Sequence, residues 1–326
     1  MAAPPHQRSS PSAGLGRAGD EGAGRPAVVY VMGAGRTGST ILGVTLGNCH
    51  GIFYAGELDK WIGRAGVPPL AGEEQARFWA AVRARVSEPL AGELERQRMR
   101  RLKRSSGLFR MRGRPGRRVR ERYRRLSADV LRAVASVAQA THVVDSSHYP
   151  RRARQLQRAA GIDLFLVFLV RDAQDVVASW SRDDVPEPQF STLKTNAYLW
   201  LTHLLSLVVF LRQPRERRLL LRHEDFVADP ERVLGELLSR VGASSPIPDL
   251  CSLAVGVPFQ GNRLVRSQEV ALHRRSSAAA RGRSRLTAAM QLPWALVFSL
   301  LRPRVRAARA HAAAQRSAEL APGGGR

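Results

Sequence analysis

The sequence predicts an α/β protein of three layers around a central parallel sheet, carrying a helical insert and a helical C-terminal extension. Three observations support this. Short, near-continuously apolar segments alternate with helical ones, the pattern of strands buried on both faces. The first of them, Ala27 to Met32, runs through a glycine-rich turn straight into a helix. Each later apolar segment ends in a polar cluster, where strands of an open parallel sheet carry their ligands.

Taken in order, residues 1–25 are rich in Gly, Pro, Ser and Ala and lack the roughly 7 to 15 residue apolar core of a secretory signal, so they read as a disordered leader. After the first strand, the helix over Thr40 to Leu46 stops at Gly47-Asn48. Further strands are expected at Ile52 to Tyr54, His142 to Val144, Asp163 to Val170 and Arg218 to Leu221. They end in Gly56-Glu57, Asp145-Ser146-Ser147-His148, Arg171-Asp172 and His223-Glu224-Asp225. A main domain over 26–270 therefore contains a basic helical insert at about 72–140, read as a hairpin or cap. Residues 271–326 form a basic, partly helical extension in which Leu292 to Leu301 is a short helix packed on the core. The longest apolar stretch, Ala197 to Leu211, is interrupted by Thr202, His203 and Ser206 and falls short of a membrane span. A soluble, cytoplasmic protein is the expectation.

The formal charge of +25 points to polyanionic partners, but only three of 52 basic residues are lysines, which suggests a coding bias behind much of it. From Arg96 to Arg125 there are 15 Lys or Arg and one acid, Glu121. That stretch is a solvated helix pair or a docking place for an acidic acceptor; specific nucleic-acid binding is not expected. Cys49 and Cys251 form neither a metal cluster nor a disulfide framework and read as small core residues.

The loop Gly33-Ala34-Gly35-Arg36-Thr37-Gly38-Ser39-Thr40 admits three readings. Gly33-x-Gly35-x-x-Gly38, with Glu57 some 19 residues on, meets the dinucleotide fingerprint. Gly33-x-x-x-x-Gly38-Ser39-Thr40 nearly meets the phosphate loop of kinases and NTPases, but Ser39 stands where their lysine contacts the β and γ phosphates. The third is an amide nest at a helix N-terminus with Arg36 inside it, suited to a 5'-phosphate bearing a further anionic group.

Arg36-Thr37-Gly38-Ser39-Thr40 resembles the 5'-phosphosulfate loop of the sulfotransferases that use 3'-phosphoadenosine-5'-phosphosulfate. Phe168 to Trp180 is similar to their 3'-phosphate-binding strand and helix, with Arg171 at the strand end and Ser179 eight residues later. Gly261-Asn262-Arg263-Leu264-Val265-Arg266 resembles the late segment that closes over the adenosine. The resemblance spans about Pro26 to Gln268 and implies a P-loop-type fold and sulfuryl transfer to a small-molecule or carbohydrate acceptor. It places the donor on Gly35, Arg36, Thr37, Gly38, Ser39, Thr40, Arg171, Ser179, Arg263 and Arg266, without a metal. Arg36 is the candidate for the leaving-group charge. Two residues compete for general base: Glu57, as in the tyrosylprotein type, and His148, in a Ser-His-Tyr-Pro segment similar to the Thr-His-x-Pro of cytosolic sulfotransferases. The turn at His223 reads as structural. The rival functions are a P-loop kinase or NTPase and a non-enzymatic polyanion-binding protein.

Overall fold

The computed structural model describes residues 25–69, 72–102, 115–180, 191–272 and 284–301. The leader up to residue 24, the middle of the basic insert (103–114) and the end of the C-terminal extension (302–326) lie outside the described residues. Five strands, β1 (Ala27–Gly33), β2 (Ile52–Gly56), β3 (His142–His148), β4 (Asp163–Val170) and β5 (Arg218–Arg222), form one sheet in the order β2-β3-β1-β4-β5. Every pairing is parallel. The expected strands are all present.

Alternation along β1 builds the layers. Val28, Tyr30 and Met32 join one apolar cluster, Val29 and Val31 another on the opposite face. The second cluster is closed by α1 (Ser39–Gly47), α9 (His223–Ala228) and α10 (Pro230–Val241), through Leu42, Phe226, Leu234 and Leu237. A short α2 (Asp59–Gly63) follows β2 and contributes Trp61 to the first cluster. The first cluster is also closed by α3 (Glu73–Arg85), α4 (Glu93–Arg101), α5 (Arg117–Ala138) and α6 (Pro150–Leu156). Beyond these lie α7 (Ala173–Trp180), α8 (Thr192–Leu211), a two-strand ribbon of β6 (Leu253–Ala254) and β7 (Glu269–Val270), and α11 (Arg285–Leu301).

The insert is not a peripheral cap. Its last helix, α5, places Leu126, Leu131 and Val134 in the core that receives Val28 and Tyr30. Parallel strands β2 and β3 need a crossover packed on the sheet, and α5 is that crossover. Six of its seven arginines fall within Arg117–Arg125, and the second half is mostly apolar and buried, with Arg132 turned to Asp129.

Strand β3 runs past Val144, where the sequence reads its end, because its polar residues find partners inside. Asp145 and Arg152, 0% and 2% exposed, form a salt bridge in which Nε and Nη2 of Arg152 donate to Oδ2 at 3.1 and 2.8 Å. The Ser147 amide and hydroxyl donate to the other carboxylate oxygen, and the Asp59 amide donates to Ser147 Oγ at 2.9 Å. Arg152 Nη1 donates to the Tyr123 hydroxyl of α5 at 2.9 Å. Removing one member of such a pair typically costs about 3–5 kcal/mol, since the other charge stays buried alone.

Cys49 is buried as expected, but Cys251 is exposed. It sits in a surface turn in which its amide donates to Asp249 Oδ1 at 2.9 Å, a polar arrangement that keeps the thiol outside the core.

The apolar stretch of α8 is interrupted for an internal reason: Thr202, His203 and Ser206 all point inward and are buried. The helix that the sequence places at Leu292 to Leu301 begins earlier, at Arg285, and keeps Pro293 within it. It packs parallel to α8: Asn196 Nδ2 donates to Thr287 Oγ1 at 3.0 Å, Trp200 stacks edge-on against Trp294, and His203 against Phe298. Among the described residues no helix is long and apolar enough to cross a membrane.

His203 lies among the rings of Phe168, Trp294 and Phe298 with its Nδ1 unpartnered, and burial lowers its pKa to about 4. An unfolded histidine titrates near 6.5. Between these values the unfolded chain holds the extra proton, so the contribution is complete above about pH 6.5 and is lost as pH falls toward about 4. Stability measured by denaturant unfolding should drop by about 2 kcal/mol more between pH 7.5 and pH 5 in the parent than in His203→Phe. Equal drops would place the acid sensitivity elsewhere.

Candidate functional site

The chain leaves β1 toward β2 and leaves β4 toward β5, in opposite directions across the sheet. A ligand site is expected between the carboxyl ends of two such strands, and the loops after β1, β4 and β5 converge there.

The β1 loop is shaped by two left-handed residues, Arg36 (φ 68°) and Gly38 (φ 94°). The Thr37 hydroxyl donates to the Ala34 carbonyl at 2.9 Å, and the Gly35 amide donates to the Tyr198 hydroxyl of α8 at 2.9 Å. Both groups thus hold the loop in shape. Helix α1 then starts at Ser39 with no side-chain cap and no acid in its first turn, so its own residues do not offset the positive end of the helix dipole. The Arg36 guanidinium lies over the Trp180 ring, 5.3 Å from its centroid.

From the end of β4, Arg171 reaches the same loop. Its Nη1 donates to the Arg36 carbonyl at 3.3 Å and its Nη2 to Asp175 at 3.3 Å, while its Nε is buried without a hydrogen-bond partner. Ser179 stands half-buried two turns along, on α7. From β5, Glu224 Oε1 accepts the Asp172 amide at 2.8 Å, fixing the turn that carries Arg171. A Cβ on Gly38 would fall 2.4 Å from Nδ1 of His223, so the ring packs directly on the β1 loop.

The two candidate bases stand on the other side of β1. His148 pairs in register with Met32, next to the start of the loop, and holds a left-handed φ of 52°. Glu57 follows Gly56, whose φ of 74° and whose approach to the Gln260 carbonyl (2.3 Å for an added Cβ) admit only glycine. The Glu57 amide donates to that carbonyl at 2.7 Å, and its carboxylate lies 3.9 Å from Lys60 Nζ. Burial, partly offset by hydrogen bonds with Ser146 and Thr40, pushes the Tyr54 phenol well up, and the Glu57 charge adds to this. The Tyr54 hydroxyl lies 3.0 Å from Ser146 Oγ.

The late segment closes the far side. Gln260 keeps a buried, unpartnered Oε1, and Arg263–Arg266 forms a 3-10 turn against α1. Arg263 and Arg266 are exposed. A cavity of about 340 Å³ lies at the opposite, amino edge of the sheet, lined by His50, Phe53, Thr141 and His142. Both ring nitrogens of His142 are engaged there, with Thr141 and the Val241 carbonyl.

The structure brings Arg171 and Ser179 toward the loop and sets the two candidate bases on the other side of β1; the contacts of Tyr198, Gln260 and His223 formed no part of the sequence reading. The phenol of Tyr198 comes from 163 residues away, and nothing local marks it. His223 was visible as the first member of a strand-end polar cluster.

No protein-family model and no curated protein matches the chain. Solved chains similar to it in fold are sulfotransferases. The sulfotransferase domain from the curacin biosynthetic pathway is 15% identical with a TM-score of 0.48, covering 83% of this chain and 98% of that one. The sulfotransferase domain of the Synechococcus PCC 7002 olefin synthase is 18% identical with a TM-score of 0.47, over 85% and 97%. A sulfotransferase from Alicyclobacillus acidocaldarius is 15% identical with a TM-score of 0.36, over 74% and 88%. Likenesses of this size say nothing about chemistry.

Gly38→Ala should destabilise the protein by about 1–3 kcal/mol, because it adds both a strained φ and a collision with His223. Adding His223→Ala should recover part of that loss in thermal unfolding. A double variant no more stable than Gly38→Ala would mean that the contact is unimportant.

Proposed function

We propose that the chain is a sulfotransferase that moves the sulfuryl group of 3'-phosphoadenosine-5'-phosphosulfate to a hydroxyl or amine acceptor. The observation that carries this reading is the meeting of Arg171 with the Gly33–Thr40 loop. Two guanidinium groups, one with an unpartnered buried Nε, stand at a single uncapped helix N-terminus that has Ser39 in place of a phosphate-loop lysine.

The residues present fit a donor with two separate anionic ends. Amides at the start of α1, the Ser39 and Thr40 hydroxyls and Arg36 suit the 5'-phosphosulfate, with Gly35, Thr37 and Gly38 holding the loop open for it. Arg171 and Ser179 suit the 3'-phosphate, and Arg263 and Arg266 lie on the segment that would close over it. When bound, the donor supplies an activated S–O bond: the acceptor atom bonds to sulfur as the bond to the 5'-phosphate oxygen breaks, yielding adenosine-3',5'-bisphosphate, the sulfated acceptor and a proton.

The work of the chain is positioning and electrostatic stabilisation. Arg36 neutralises charge arising on the leaving phosphate oxygen, and its stacking on Trp180 limits where it points. Glu57 takes the acceptor proton in the reading we favour, because the Gly56 turn and the Gln260 carbonyl hold its backbone at the site; His148 is the alternative. The catalytic unit is residues 26–270. Its acceptor is a small molecule or carbohydrate, and the arginines of α4 and α5 favour an acidic one.

Thermal-shift titration tests the donor: adenosine-3',5'-bisphosphate should stabilise the chain where ATP and NAD do not, and preference for ATP or NAD would reject this reading. Arg171→Ala should weaken the bisphosphate by roughly 30- to 100-fold while changing adenosine-5'-phosphate by less than about threefold. Equal losses would remove Arg171 from the 3'-phosphate. Glu57→Gln should cut turnover by about 10²- to 10⁴-fold at unchanged donor affinity, and near-normal turnover would transfer the role to His148.

A further inference from the structure

Helix α8 is apolar on both sides. Its buried side mixes Thr195, Asn196, Thr202, His203 and Ser206 with Leu199, Val209 and Phe210, whereas Leu193, Ala197, Trp200, Leu204, Val208 and Leu211 face outward. Those outward positions recur every three or four residues, an apolar stripe along 20 residues of helix. Helix α11 repeats the arrangement beside it: Thr287 and Gln291 are buried against Asn196, together with Trp294, and Leu286, Leu292, Leu296 and Leu300 are exposed. Two parallel helices that join through polar hydrogen bonds and present leucines outward make an apolar face larger than scattered surface residues explain.

We infer that this face docks on an anionic lipid bilayer. Charge selects the occupant. Residues 271–318, on both sides of and within α11, contain ten arginines and no acid. Lys194 and Arg285 are exposed at the shared amino end of the two helices, and Arg212 just beyond the carboxyl end of α8. An apolar stripe with exposed cations at its ends, Lys194, Arg285 and Arg212, and no acid on either helix is the form of an interfacial helix that meets anionic headgroups. Trp200, with its Nε1 bonded to the Met290 carbonyl, supplies the amphipathic ring favoured at that boundary. A second copy is the poorer occupant, since its own α8 and α11 would bring further cations and no acid against the same face. The chain's own 302–326 segment has only Val305 and Leu320 as large apolar side chains, too few to cover the stripe. Neither helix can span a membrane, so the protein lies on the surface. This inference is independent of the sulfuryl-transfer reading.

The test is co-sedimentation of the full chain with phosphatidylcholine vesicles with and without phosphatidylserine. Binding should require phosphatidylserine, and Leu292→Glu with Leu296→Glu should weaken it at least about tenfold, although every arginine remains. Parent emission should shift to the blue on binding, and Trp200→Phe should remove most of that shift. If the double variant has a lowered melting temperature, Leu204→Glu on α8 reports on the same face. Variant binding equal to the parent's would reduce the interaction to adsorption by arginine alone and overturn the inference. So would absence of vesicle binding, or a dimer in sedimentation equilibrium that these substitutions dissociate without any lipid binding.

Discussion

The buried pair of Asp145 and Arg152 is the interaction on which the rest of the architecture hangs. It allows β3 to continue as a strand through Asp145, Ser146 and Ser147, three polar residues that would otherwise end it. Through Tyr123 it ties the sheet to α5, and through Ser147 it holds the Asp59 amide at the start of α2. Both candidate bases depend on it, since His148 is the next residue of β3 and Glu57 lies two residues before Asp59. A buried ion pair is weak evidence for net stability, but it is strong in register: Arg152 has its place because Asp145, Tyr123 and Ser127 leave it no other.

The other half of the site is ordered differently. Around the β1 loop, contacts are mostly single hydrogen bonds and packing from three distant places: Tyr198 on α8, Arg171 just after β4 and His223 at the start of α9. Arg171 Nε is buried here without a hydrogen-bond partner, a group of the kind that a bound ligand satisfies.

Helix α8 connects this cradle to the outside. Tyr198 touches Gly35, and one turn on, His203 begins the aromatic packing against α11. The same helix carries the outward apolar stripe, so a surface contact there and the shape of the Gly33–Thr40 loop belong to one rigid element.

How much of this was legible follows from range. Strands buried on both faces, the loop between β1 and α1, and the Arg171 to Ser179 spacing are local patterns. The sequence by itself therefore determined the parallel sheet, the glycine-rich turn after β1 and the cationic residues near it. Arg152 carries no local sign of burial, and it pairs with a residue that read as the end of a strand. The role of α5 as a crossover was masked by the arginines of its first half. Only the tertiary structure decided which polar residues point inward on α8, that His223 packs on Gly38, and that Cys251 stays outside. In each case the deciding contact joins residues distant in sequence, or depends on which face of a helix the core leaves free, and hydrophobic periodicity records neither.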